Sequence, residues 1–174
     1  MGISQKIQDK GDYIRSAVLS ANDGIITTFA VVSGSLGASL SPSIVVILGL
    51  TNLFADGLSM STGSYLGVKS EIEYEQNEGG KKTIGKRPLI SGLVSFLSFG
   101  IVGFIPLISY VFRIDNSFNV SAVLVVFSLI LVGVARGWVT NKNILRTAAE
   151  NLLIGGVAAF VAFYVGEFAR RYLV

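Results

Sequence analysis

The sequence predicts an all-α integral membrane protein: five transmembrane helices forming one domain over residues 1–174. Three observations predict it. Hydrophobic residues make up 51% of the 174-residue chain and charged residues 14%, and the mean hydropathy is +0.65, outside the range of water-soluble globular domains. The apolar residues gather in segments close to the ~20 helical residues that cross ~30 Å of hydrocarbon. Within those segments they run continuously, whereas a lipid-facing barrel strand would alternate apolar with polar.

The first span, 16–39, is too long for a cleavable signal, carries Asp23 within it and is followed by no small-residue cleavage pattern, so it is expected to remain in the mature chain. A tight connection at Ser41-Pro42 leads into the second span, 43–67. The third, 88–112, contains Pro106, which removes an amide donor and is expected to kink the helix. The fourth and fifth spans cover 119–139 and 147–168, and Trp138 and Tyr110 near span ends suit an interfacial aromatic belt. Between the second and third spans lies a short loop, 69–87.

Lysine and arginine set the expected orientation. Lys6, Lys10 and Arg15 precede the first span; Lys69, Lys81, Lys82, Lys86 and Arg87 follow the second; Arg136, Lys142 and Arg146 separate the fourth from the fifth. Only Arg113, Arg170 and Arg171 fall on the other side. This places the amino terminus in the cytoplasm and the carboxy terminus outside or in a lumen. The same asymmetry accounts for the pI of 9.3, so no nucleic-acid partner is implied, and the basic face suits anionic lipid head groups. No organellar address is visible; a plasma membrane or a vacuole-like membrane serves equally.

Composition also excludes chemistry. Cysteine and histidine are absent, which removes disulfides, thiolate metal sites, histidine proton relays and the usual zinc ligands. No nucleophile with a base partner is apparent, so the chain is not read as an enzyme and no cofactor is expected.

Two acidic dipeptides, Asp23-Gly24 and Asp56-Gly57, lie inside apolar spans. An ionisable group at that depth is costly and marks a functional site. Counting from the Ser41-Pro42 turn at ~1.5 Å per residue puts Asp23 and Asp56 about 27 and 21 Å from it, both in the cytoplasmic half. On the second helix Asn52, Asp56 and Met60 recur at i, i+4 and i+8; on the first, Ser16, Ser20, Asp23 and Thr27 form a polar stripe. The two stripes are expected to face each other. Gly63 with Gly67, Gly133 with Gly137, and Ser16, Ser20 and Gly24 have the small-xxx-small spacing that lets helices approach closely in lipid.

Oxygen ligands alone suit Mg²⁺, Ca²⁺ or Mn²⁺, and a thioether shifts preference towards Fe²⁺ and later metals, leaving Fe²⁺ and Mn²⁺ as the transported ions to consider. Two carboxylates at one depth repel, so the empty site is expected to hold a proton that an arriving cation expels, the basis of antiport. The reading from another class is a non-conducting receptor or assembly subunit whose polar stripes specify helix pairing.

The runs Asn22-Asp23-Gly24-Ile25-Ile26-Thr27-Thr28-Phe29, Ala55-Asp56-Gly57-Leu58-Ser59-Met60 and Gly63-Ser64-Tyr65-Leu66-Gly67 resemble the vacuolar iron transporter family, which includes the yeast vacuolar iron and manganese importer and the nodulin-21-like plant proteins. Gly103-Phe104-Ile105-Pro106-Leu107 and Leu152-Leu153-Ile154-Gly155-Gly156 match more loosely. The resemblance implies a five-helix homodimer that exports Fe²⁺, often Mn²⁺ too, from the cytoplasm in exchange for protons, along a pathway lined by the first two helices at the dimer interface. It carries the family's intramembrane Asp onto Asp23 and its Met onto Met60. Better-known members have Glu eight positions before that Met, where this chain has Asn52, and a small residue four positions before it, where this chain has Asp56.

Many members also insert a Glu-rich cytoplasmic metal-binding domain after the second helix, for which residues 69–87 leave no room. Glu71, Glu75 and Glu78 would share a face if the second helix extends into the cytoplasm, and are expected either to collect cations or to answer Lys81 and Lys82, with Gly79-Gly80 ending the helix. Glu150, one turn from Arg146, is read as an ion pair or part of the cation entrance, and Glu167 with Arg170 and Arg171 as an interfacial anchor.

Overall fold

The computed structural model describes residues 3–77 and 87–173, with side chains from residue 11 onward. Its helices are α1 (Ile3–Gly37), α2 (Pro42–Asn77), α3 (Pro88–Gly103), α4 (Ile108–Val111), α5 (Ser117–Thr140) and α6 (Ile144–Tyr172). A 3-10 turn at Ile105–Leu107 joins α3 to α4, so the pair forms one span and five helical rods are long and apolar enough to cross a membrane. No strand occurs among the described residues.

Both rods of the first hairpin run well past their apolar segments, because polar residues that cannot enter lipid can still propagate a helix in water. Hydropathy marks where a helix meets the membrane, not where it stops. The hairpin turn is closed by Ser39, in the left-handed region at φ 58, with Leu40 N–H donating to the Ser35 carbonyl at 2.9 Å, a cap that satisfies carbonyls at the helix end. Pro42 then starts α2 at the first helical position, where its missing N–H costs nothing.

In the third span Pro106 cannot donate into the helical ladder, and the backbone tightens to the 3-10 turn around it. Its carbonyl accepts from Ser121 Oγ of α5 at 2.7 Å. Tyr110, expected in an interfacial belt, is instead 7% exposed and part of the core, because the altered turn rotates α4 so that Tyr110 points inward. Trp138 is exposed as expected. On the carboxy-terminal hairpin, Asn143 caps α6 by accepting from Arg146 N–H at 3.2 Å.

α1 is the central rod. Ile25, Phe29 and Val32 are buried among Val45, Leu107, Tyr110, Val125 and Leu129, and Phe29 stacks on Phe118. Lipid tails are as apolar as these side chains, so association rests on close packing and on hydroxyl groups buried at helix crossings. Ser20, Thr28, Ser91, Ser95, Ser109 and Ser121 are all buried. Gly133 and Gly137 abut Thr147, Ala148 and Ile144 of α6, and Gly24 meets Phe99 and Gly103 of α3. At the far end, a methyl on Gly166 would overlap the Gly34 carbonyl oxygen, which fixes α6 against α1. By contrast, a methyl on Gly63 or Gly67 would meet nothing within 4 Å, so this part of α2 presents an open face.

Candidate metal site between the first three helices

α3 is wedged between the two rods of the first hairpin, and α1 packs far more extensively on α3 than on its own hairpin partner α2. Two serine pairs hold the wedge. Ser16 Oγ lies 3.1 Å from Ser91 Oγ, joining α1 to α3, and Ser64 Oγ lies 2.6 Å from Ser95 Oγ, joining α2 to α3. The splayed hairpin leaves space along its polar stripes.

Asp23 stands fourteen residues before the end of α1 at Gly37, and Asp56 fourteen residues after the start of α2 at Pro42. At ~1.5 Å per residue both are about 21 Å from the hairpin turn. This equalises the two depths: the first helix ends at Gly37, two residues earlier than its apolar segment suggests. Both carboxylates are partly buried. Neither is joined by an ion pair to any described residue. Two acids thus stand at one level on neighbouring rods of the membrane-crossing bundle, without a cationic side chain paired to either.

Towards the basic end, the next turns of the same stripes enclose a cavity of about 580 Å³. Met60, Ser59 and Ser64 of α2, Ser16 of α1 and Ser91 of α3 line it, with Asp12 and Glu71 closer to the helix extensions. Gly63 and Gly67 also border it, so the cavity opens on the unpartnered face of α2. One turn beyond Asp56 in the other direction, Asn52 carries a buried amide nitrogen with no hydrogen-bond partner. Such an orphan donor calls for an acceptor and is not itself a cation ligand, so Asn52 could meet a metal only through its Oδ1. The Thr27 hydroxyl turns back to the Asp23 carbonyl at 2.9 Å and is used within its own helix.

The structure therefore puts Asp23 and Asp56 at one level on α1 and α2, sets Asn52 and Met60 one turn to either side of Asp56 on α2, and makes Met60 and Glu71 share a cavity. Glu75 is partly buried on the extension of α2, and Glu78 lies outside the described residues, as do Lys81, Lys82 and Gly79-Gly80. Glu150 is engaged elsewhere: Arg146 Nε donates to it at 3.1 Å and Arg136 sits 3.4 Å away. Among the described residues no cluster of three or more acidic side chains forms. Asp12 is the residue that sequence reasoning missed. It continues the stripe four positions before Ser16, a signal concealed because the first helix was begun at residue 16.

The sequence has known relatives. A profile of the VIT family matches residues 14–84 and 76–167. The chain belongs to the VIT family. Among curated proteins it is 26% identical to vacuolar iron transporter 1 of Arabidopsis thaliana, covering 92% of this chain and 88% of the relative. It is 26% identical to the vacuolar iron transporter of Centaurea cyanus, over 88% and 86% of the two chains. It is also 26% identical to vacuolar iron transporter homolog 3 of Arabidopsis thaliana, over 94% and 88%.

The first alignment spreads over 219 positions although this chain has 174 residues, so that relative carries residues this chain lacks. The alignment to homolog 3 takes only 179 positions. The two pieces of the family match meet at 76–84, in the connection between α2 and α3. This VIT family chain is a multi-pass membrane protein, with five rods long and apolar enough to cross a membrane among the described residues.

Proposed function

We propose that this protein exports ferrous iron from the cytoplasm in exchange for protons, with manganese as a second substrate, and that it works as a homodimer. The observation that carries the reading is the pair Asp23 and Asp56, level and partly buried on two membrane-crossing rods with no ion pair to any described residue. The names of the relatives supply the ion: three of them are vacuolar iron transporters or homologues of one. Met60 supports iron over harder ions, because a thioether is a poor ligand for Mg²⁺ or Ca²⁺.

In this reading Fe²⁺ enters the cavity past Asp12 and Glu71, meets Met60, and moves one turn deeper to Asp23 and Asp56, with Asn52 completing the oxygen ligands. When the cation leaves, a proton takes its place on the acid pair, and the next cation expels it. The exchange would follow from electrostatics, because two like charges at one level repel each other more strongly the lower the dielectric around them. One chain supplies two carboxylates at this level. A second copy, docked on the open Gly63 and Gly67 face, would close the cavity and double the ligand set. The short connection before α3 is read as replacing a cytoplasmic metal-binding domain, leaving Glu71 and Glu75 on the α2 extension as cation collectors, with Glu78 next in sequence.

Flux into sealed vesicles containing the purified protein tests this. Fe²⁺ supplied on the side of the basic loops is expected to enter while protons leave, and Asp23→Ala is expected to abolish both movements with the dimer intact. Loss of the dimer in Asp23→Ala, with no flux in the parent protein, would instead support a pairing role for the polar stripes.

A further inference from the structure

On the face of α1 adjoining the metal cavity, a second cavity of about 650 Å³ lies between α1, α5 and α6 at the same basic end of the bundle. Its walls are mostly apolar, with Ile14, Val18 and Leu19 on α1 and Val139 on α5. Arg15 and Arg136 border it, as do two amides, Asn22 and Asn151. Asn151 is 3% exposed. Its Oδ1 accepts from Arg136 Nη1 at 3.4 Å, which fixes the orientation of the amide and leaves Nδ2 facing elsewhere. That Nδ2 is a buried donor with no partner, and Asn22 Oδ1 is a buried acceptor with none.

Buried polar atoms without partners are rare in folded proteins, and here two residues that carry one each border a cavity where two guanidinium groups meet apolar walls, a lining that fits a ligand both anionic and apolar. We propose that this cavity binds an anionic phospholipid. Its phosphate oxygens would accept from Arg15, Arg136 and Asn151 Nδ2, a head-group hydroxyl or ammonium would donate to Asn22 Oδ1, and an acyl chain would lie along Ile14, Val18, Leu19 and Val139. Glu150 withdraws part of the charge of Arg136 at 3.4 Å, yet Arg146 in turn compensates Glu150 at 3.1 Å, so this corner stays cationic. The walls choose the source of the phosphate, because a free hydrated anion gains nothing from an apolar cleft, whereas a lipid fills it. Arg15 and Leu19 border both cavities. On the transport reading above, a lipid phosphate on Arg15 would remove a positive charge from the mouth of the metal pathway.

The binding test does not depend on transport. The full chain, purified in detergent, is mixed with equal amounts of dioleoyl phosphatidylglycerol and dioleoyl phosphatidylcholine, and the retained lipid is weighed by native mass spectrometry. The parent protein is expected to prefer phosphatidylglycerol by about ten-fold, and Arg15→Gln and Asn151→Ala to reduce that preference to about two-fold. Arg15 is exposed, so Arg15→Gln leaves the packing intact and remains informative should Asn151→Ala misfold. Equal retention of the two lipids by the parent protein would overturn the proposal, as would an undiminished preference in Arg15→Gln. Displacement of phosphatidylglycerol by millimolar inorganic phosphate would also overturn it, by revealing a site for a free anion.

Discussion

Asp23 and Glu150 are both acids on membrane-crossing rods, and their surroundings divide the molecule in two. Glu150 sits between Arg136 and Arg146 at the α5–α6 hairpin, where α5 and α6 are pressed together through Gly133 and Gly137 and the Thr147 hydroxyl donates to the Gly133 carbonyl at 2.7 Å. Its charge is satisfied within the chain. Asp23 stands level with another acid on a hairpin whose two rods both pack on α3, one turn from a cavity lined by hydroxyls and a thioether. The lesson is that a carboxylate in a membrane protein declares its role by its partners: balanced charge builds structure, and unbalanced charge awaits a cation.

Neutralising each acid in turn tests this contrast most sharply. Asp23→Asn is expected to lower Fe²⁺ flux at least a hundredfold, about 2.7 kcal/mol on the activation scale, while Glu150→Gln leaves flux within about two-fold. Equal losses in the two variants would erase the distinction.

The packing contrast predicts the next largest effect. Gly166→Leu must push into the Gly34 carbonyl, costing about 1–3 kcal/mol as overpacking does and lowering the melting temperature. Gly63→Leu meets no atom of its own chain, so it should leave the melting temperature of the isolated chain unchanged and abolish dimers in cross-linking.

Met60→Ala sharpens the cavity side of the comparison. Fe²⁺ transport should fall by about ten-fold and Mn²⁺ transport by about two-fold, because only the softer ion gains from sulfur. Equal losses would deny a thioether ligand. The smallest effect is expected in stability: Glu150→Gln should cost no more than about 1 kcal/mol in thermal unfolding, as for partly exposed ion pairs.

The five rods were legible in the sequence because lipid imposes a single demand, some twenty apolar residues per crossing, and this chain meets it five times. The acid pair was legible for the complementary reason, that charges inside such runs are conspicuous. Three features were not legible. The first helix extends to Ile3 and the second to Asn77 at least, beyond anything hydropathy records, and Asp12 was overlooked as a result. Tyr110 turned inward because a 3-10 turn at Pro106 changed the helical phase, and a proline announces a break without giving its angle. The role of α3 as a wedge, with Ser91 and Ser95 bonded to Ser16 and Ser64, depends on long-range packing to which no local periodicity points.

Proton release on metal binding tests the central claim most directly. Mn²⁺, chosen because it resists oxidation, is titrated into the detergent-solubilised protein in weakly buffered solution while pH is recorded. Binding is expected to acidify the medium in the parent protein, with release lost in Asp23→Asn and in Asp56→Asn and retained in Glu150→Gln. Binding without proton release in the parent protein, or release that survives both aspartate substitutions, would contradict a shared site where cation and proton alternate.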